Sequence, residues 1–85
     1  MNYTVTIERS AQKDIAALSS VNRSRVLAAI QKLAGNPRPD GCIKLTGQIS
    51  WRIRVGAIRV IYTIDDARLT VTILEVGQRG GMYRT

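Results

Sequence analysis

The sequence predicts an α+β domain in which a two-helix hairpin packs on one face of an antiparallel β-sheet. Two observations predict it. Apolar and polar residues alternate in three successive segments after residue 49, and ahead of them the apolar period lengthens to helical spacing between residues 10 and 34. Strands in series on short turns pair antiparallel, and helices grouped before them cover one face of the resulting sheet. The other face is then open.

Residues 2–8, NYTVTIE, alternate strictly, with Tyr3, Val5 and Ile7 on one side and Thr4, Thr6 and Glu8 on the other, as in a half-buried strand. From Ser10, placed as an N-cap, Ala11, Ile15 and Leu18 recur at i, i+4 and i+7, which predicts a short helix to about Leu18. Ser19 and Ser20 break it. A second helix is expected from about Val21 or Asn22 to Ala34, with Val26, Leu27, Ile30, Leu33 and Ala34 on its apolar side and Arg23, Arg25, Gln31 and Lys32 facing water. Gly35 and Pro37 stop it. Residues 36–41, NPRPDG, form a loop, and strands follow near 42–45 and over 50–55, 58–64 and 69–76. The glycine-rich stretch 77–81 ends the pattern.

The turns set the register. Val55-Gly56-Ala57-Ile58 suits a two-residue hairpin of type II′, with glycine first. Pairing Val55 with Ile58 sets Ile53 opposite Val60, Trp51 opposite Tyr62 and Arg54 opposite Arg59. A second turn over Asp65–Arg68 pairs Ile64 with Leu69, Tyr62 with Val71 and Val60 with Ile73. One face thus carries Trp51, Ile53, Val55, Ile58, Val60, Tyr62, Ile64, Leu69, Val71 and Ile73, which marks it as the helix-covered side. The opposite face carries Arg52, Arg54, Arg59, Ile61, Thr63, Thr70, Thr72, Leu74 and Val76, while Glu75 is expected opposite Ile58 at the core edge. Like charges directly opposite one another weaken a sheet, within the roughly 0.2–1 kcal/mol range of cross-strand pairs. With no acid expected on this face, an anionic ligand is the simplest counter-charge.

Composition narrows the class. Eighty-five residues suit one domain over residues 1–85, and 45% hydrophobic content is enough for it to fold. The opening MNYTVTIERS has no apolar signal-peptide core, no apolar run approaches a membrane span, and the single Cys42 forms no internal disulfide, so a cytoplasmic protein is expected. Thirteen Lys and Arg against six Asp and Glu give +7, and ten of the thirteen are arginines, whose planar forks bind phosphate through paired hydrogen bonds. A polyanion is the expected partner. There is no histidine, and one cysteine makes no zinc cluster, so neither metal nor cofactor is expected.

Taken together, Lys44-Leu45-Thr46-Gly47, Trp51-Arg52-Ile53-Arg54-Val55-Gly56, Arg59-Val60-Ile61-Tyr62 and Val76-Gly77-Gln78-Arg79, leading to Met82-Tyr83-Arg84, resemble the RelE/ParE superfamily of bacterial toxins, RelE branch. The resemblance covers nearly the whole chain. It implies the RelE-like toxin fold and a ribosome-dependent endoribonuclease that enters the A site and cuts the mRNA codon held there, inhibiting translation. A cleft of basic residues and one tyrosine would drive the 2′-hydroxyl of the message onto the adjacent phosphate. By position, the catalytic set falls on Arg59, Arg79 and Tyr83, and RNA-phosphate binding on Arg52, Arg54 and Lys44. The implied partners are a cognate antitoxin, the ribosome and mRNA.

The chain departs from the best-known RelE toxins in carrying Arg52 and Arg54 where they have lysines, and Gln78 where many relatives have histidine. Arginine stays protonated in proteins. Arg59 and Arg79 therefore suit charge stabilisation on the phosphorane, and Tyr83 is left as proton acceptor or stacking platform. Three other readings compete: a ParE-like inhibitor of DNA gyrase, which would share the fold without needing Arg79 or Tyr83, a non-catalytic RNA-binding module that uses the same arginines, and a degenerate toxin kept with its antitoxin. Trp51 and Tyr62 could in principle stack on bases, but alternation assigns them to the core.

Overall fold

The structure, a computed structural model, describes residues 2–47 and 49–78. Within them β1 (Thr4–Ile7) leads into α1 (Arg9–Ala16) and α2 (Ser20–Leu33), followed by β2 (Ile43–Lys44), β3 (Ser50–Val55), β4 (Ile58–Asp65) and β5 (Thr70–Gln78). The strands form one sheet in the order β1-β5-β4-β3-β2. Three of its pairings are antiparallel, as expected, but β1 runs parallel to β5, with Val5 beside Val71 and Ile7 beside Ile73. The sheet is therefore mixed, because the helical hairpin carries the chain away from β1 and only the last strand returns to it.

Both helices begin and end for identifiable reasons. Ala11 and Ile15, one turn apart, bury the inner side of α1. Its N-cap position falls on Glu8, which makes no side-chain cap, so Ser10 is not the cap the sequence suggested. At the other end Arg23 donates to the carbonyls of Ile15, Ala16 and Leu18 at 3.4, 3.3 and 2.9 Å, satisfying groups that a helix C-terminus leaves open. Ser19 caps α2 by accepting the Asn22 N–H at 3.2 Å. Val26, Ile30 and Leu33 face inward at helical spacing, whereas Leu27 remains partly exposed. No helix among the described residues is long and apolar enough to cross a membrane.

The core joins these helical residues to Ile53, Ile58, Val60, Tyr62, Val71, Ile73 and Val76. Tyr62 is fully buried and donates its hydroxyl to the Pro37 carbonyl at 2.8 Å, pinning the loop after α2 beneath the sheet. Trp51 is half-buried under the Arg38 guanidinium, 5.2 Å from the ring centroid. Both aromatics thus belong to the core side.

The β3–β4 register is the expected one, from Ser50 opposite Thr63 to Val55 opposite Ile58, and Gly56 has the positive φ, 63°, of a II′ turn. The β4–β5 register differs. Asp65 pairs with Thr70, so Ile64 meets Val71 and Tyr62 meets Ile73. The Asp65 carboxylate accepts the Arg68 N–H at 3.1 Å, and Leu69 takes a left-handed φ of 51° to close the longer turn. A bulge then falls between Ile61 and Tyr62, with Ile73 opposite Tyr62 and Glu75 opposite Ile61. Leu74 is the extra residue. Beyond it Val76 turns into the core, 1% exposed, and Glu75 turns outward, which reverses both expectations for that segment.

Candidate functional site

No helix among the described residues covers the second sheet face, and its side chains follow from the register. One row across the strands reads Ile43, Arg52, Ile61, Glu75; the next, toward the β3–β4 turn, reads Arg54, Arg59, Gly77. The far end is polar and uncharged, with Ser50, Thr63, Thr72 and Thr6 in line. Cationic groups are thus concentrated at the turn end. Gly77 puts no side chain beside Arg59 and is itself buried.

The sheet brings Arg52, Arg54 and Arg59 together as expected. Arg54 is exposed, while Arg52 and Arg59 are half-buried along their stems. The Arg52 Nε is buried and has no hydrogen-bond partner among the described residues. An unmet buried donor is costly, and an anion on this face would meet it. Lys44 does not join them. It is exposed on the edge strand β2, paired with Trp51, so its side chain starts from the opposite face. Arg79 and Tyr83 lie outside the described residues; the strand that leads to them ends at Gln78.

Two residues near this face were missed in the sequence. Arg25, read as a wet residue of α2, reaches the β3–β4 turn, its terminal nitrogens 3.7 and 3.9 Å from where a Cβ on Gly56 would stand. No local pattern announces that contact. The other is Glu75, and its signal was available: strict alternation would have put a carboxylate against the core, which is costly enough to predict an irregularity before it.

Other arginines are engaged elsewhere. Arg38 pairs with Asp66 at 2.9 Å, and Arg68 approaches Asp65 at 3.9 Å. The Arg38 guanidinium, and then the Tyr3 hydroxyl donating at 2.7 Å, hold the Asp66 carboxyl below its ordinary range. These acids sit at the β4–β5 turn, at the opposite end of β4 from Arg59.

Arg52, Arg54 and Arg59 thus cluster on the face of a small sheet whose other face packs against two helices. The family described as ParE toxins of type II toxin–antitoxin systems (parDE) matches residues 5–83. Toxin RelG of Mycobacterium tuberculosis is 34% identical over 95 residues, spanning 99% of each chain. The fold matches the archaeal RelE–RelB complex of Pyrococcus horikoshii with a TM-score of 0.84 and 30% identity, over 95% of this chain and 99% of that one. It also matches the RelBE2 toxin–antitoxin complex of Mycobacterium tuberculosis with a TM-score of 0.82 and 29% identity, over 93% of this chain and all of that one. The chain belongs to the RelE/ParE superfamily of type II toxin–antitoxin toxins.

Proposed function

We propose that this toxin is a ribosome-dependent endoribonuclease that cuts mRNA in the ribosomal A site, acts in the cytoplasm as one toxin domain, and is restrained by a cognate antitoxin. The observation that carries the reading is the gathering of Arg52, Arg54 and Arg59 at the end of the open face where β5 passes the chain to Arg79 and Tyr83. Arg52 and Arg54 would position the RNA backbone, with Lys44 reaching it only from the rim. Arg59 and Arg79 would stabilise the phosphorane, since fixed donors aimed at developing charge are usually the largest catalytic term. Tyr83 would stack on a base or exchange a proton. A ribosome that positions the RNA supplies the orientation a small open face lacks.

The antitoxin follows from the same charge. Two similar structures are toxin–antitoxin complexes, and a +7 chain suits a partner that brings acids to the arginine face. Primer extension on mRNA with and without ribosomes tests the reading. Cuts confined to ribosome-bound codons support it, and cuts on naked RNA would make the protein an independent nuclease. Intact mRNA together with stalled gyrase would hand the case to the gyrase inhibition that the parDE family match also allows.

A further inference from the structure

We infer that Glu75 is the general base of this site, taking the proton from the 2′-hydroxyl of the bound RNA. The inference rests on the nuclease reading above and supplies the proton acceptor that reading leaves open. The arginines remain protonated and can stabilise charge, but they cannot accept the proton. The bulge at Leu74 turns Glu75 out of the core and onto the arginine face, opposite Ile61 and in one row with Arg52. Without the bulge, Glu75 would point toward the helices.

Its surroundings suit the task. Glu75 is exposed and makes no side-chain hydrogen bond or ion pair among the described residues. Arg59 is its diagonal neighbour on β4, roughly 7–8 Å away by the geometry of antiparallel pairs. Ile61 keeps Arg52 two strand spacings away, roughly 9–10 Å, so the carboxylate is not tied to that fork. A phosphate drawn to Arg52, whose buried Nε lacks a partner among the described residues, would lie in the row that ends at Glu75 and bring the ribose on its 5′ side toward that carboxylate.

The step balances without a cofactor. The carboxylate takes the 2′-hydroxyl proton as the 2′-oxygen bonds to phosphorus, and the bond from phosphorus to the 5′-oxygen breaks. That oxygen leaves with a proton from water, giving a 2′,3′-cyclic phosphate and a 5′-hydroxyl end, and Glu75 returns its proton to water.

The test is single-turnover cleavage of mRNA on programmed ribosomes by the wild type, Glu75→Gln and Glu75→Ala, beside binding of each to the same complexes. Loss of a general base should slow Glu75→Gln by about 10²- to 10⁴-fold. Binding should hold or tighten, because the substitution removes a negative charge from a phosphate-binding face. Added formate should restore part of the Glu75→Ala activity, which a merely structural role would not do. Cleavage by Glu75→Gln at the wild-type rate or faster, with the wild type active, would overturn the assignment and leave the nuclease reading standing. A wild type that cuts nothing would remove both.

Discussion

The carboxylate of Asp14 accepts the backbone N–H of Val76 at 3.1 Å. One helical turn earlier, Ser10 donates to the Leu74 carbonyl at 3.1 Å, so two side chains of α1 grip the peptide groups on either side of Glu75. β1 follows β5 only as far as Ile73, whose carbonyl takes the Glu8 N–H at 3.0 Å. Beyond that point α1 covers an edge that would otherwise be bare. Asp14→Ala should cost about 1–3 kcal/mol by stranding a partly buried donor, and Asp14→Asn, which keeps an acceptor oxygen, should cost less. Urea denaturation measures both, and faster hydrogen exchange at Val76 would locate the change. Equal stability of Asp14→Ala and the wild type would mean that the bulge holds itself.

Arg54 and Arg59 face each other across β3 and β4. Arg54→Thr should therefore stabilise the free protein, by up to about 1 kcal/mol at low salt. The gain should fade as salt shortens the range of the repulsion. Under the proposed function the same change should weaken cleavage. Thermal melts at two ionic strengths check the first part, and a destabilised Arg54→Thr at low salt would contradict it.

Tyr62 gives a sharper measure of the core. Tyr62→Phe removes the bond to a buried Pro37 carbonyl and should cost about 0.5–1.5 kcal/mol, whereas Tyr62→Ala should cost about 3–5 kcal/mol through the cavity it leaves. Burial pushes the Tyr62 phenol well above its ordinary pKa of 10.0. In an alkaline titration its ionisation should appear only with loss of tertiary structure. Titration in the intact fold would show the Pro37 contact to be loose.

The Arg38–Asp66–Tyr3 cluster predicts a modest pH dependence. The fold lowers the Asp66 pKa from its ordinary 3.8, so its contribution is full above that value and is lost as pH falls below it. Asp66 first, and then burial, raise the Tyr3 pKa, so that contribution persists until pH rises past 10.0. Arg38 and Asp66 are exposed, which keeps the effect small and salt-sensitive. Stability measured from neutral to acid pH should fall more steeply in the wild type than in Asp66→Asn, and parallel curves would remove the cluster from the acid limb.

The face assignments were legible wherever alternation is backed by burial. Ile53, Val60, Tyr62 and Ile73 could not exchange places with Arg52, Arg54 and Arg59 without burying charge, so their sides were fixed despite a two-residue error in the β4–β5 register. That error kept the same parity and changed no face. The bulge did change faces, because Ile73-Leu74 looks locally like any apolar pair, and its stabilising contacts come from Ser10 and Asp14 on a distant helix. The parallel partner of β1 was illegible for a related reason: four alternating residues specify a half-buried strand but do not name its neighbour.

That parallel pairing has a consequence for the order of synthesis. α1 and α2 can form from local contacts as soon as they are made, but β1 has no strand beside it until β5 exists, after nearly every other described residue. Contacts so distant along the chain are slow to close. A nascent chain halted before Thr70 therefore lacks the strand that ties β1 to the sheet, and it also lacks Gly77 and Glu75 beside the arginines. Of the described strands, the first to leave the ribosome is among the last to settle, and the arginine face is assembled only once β5 has followed the other four.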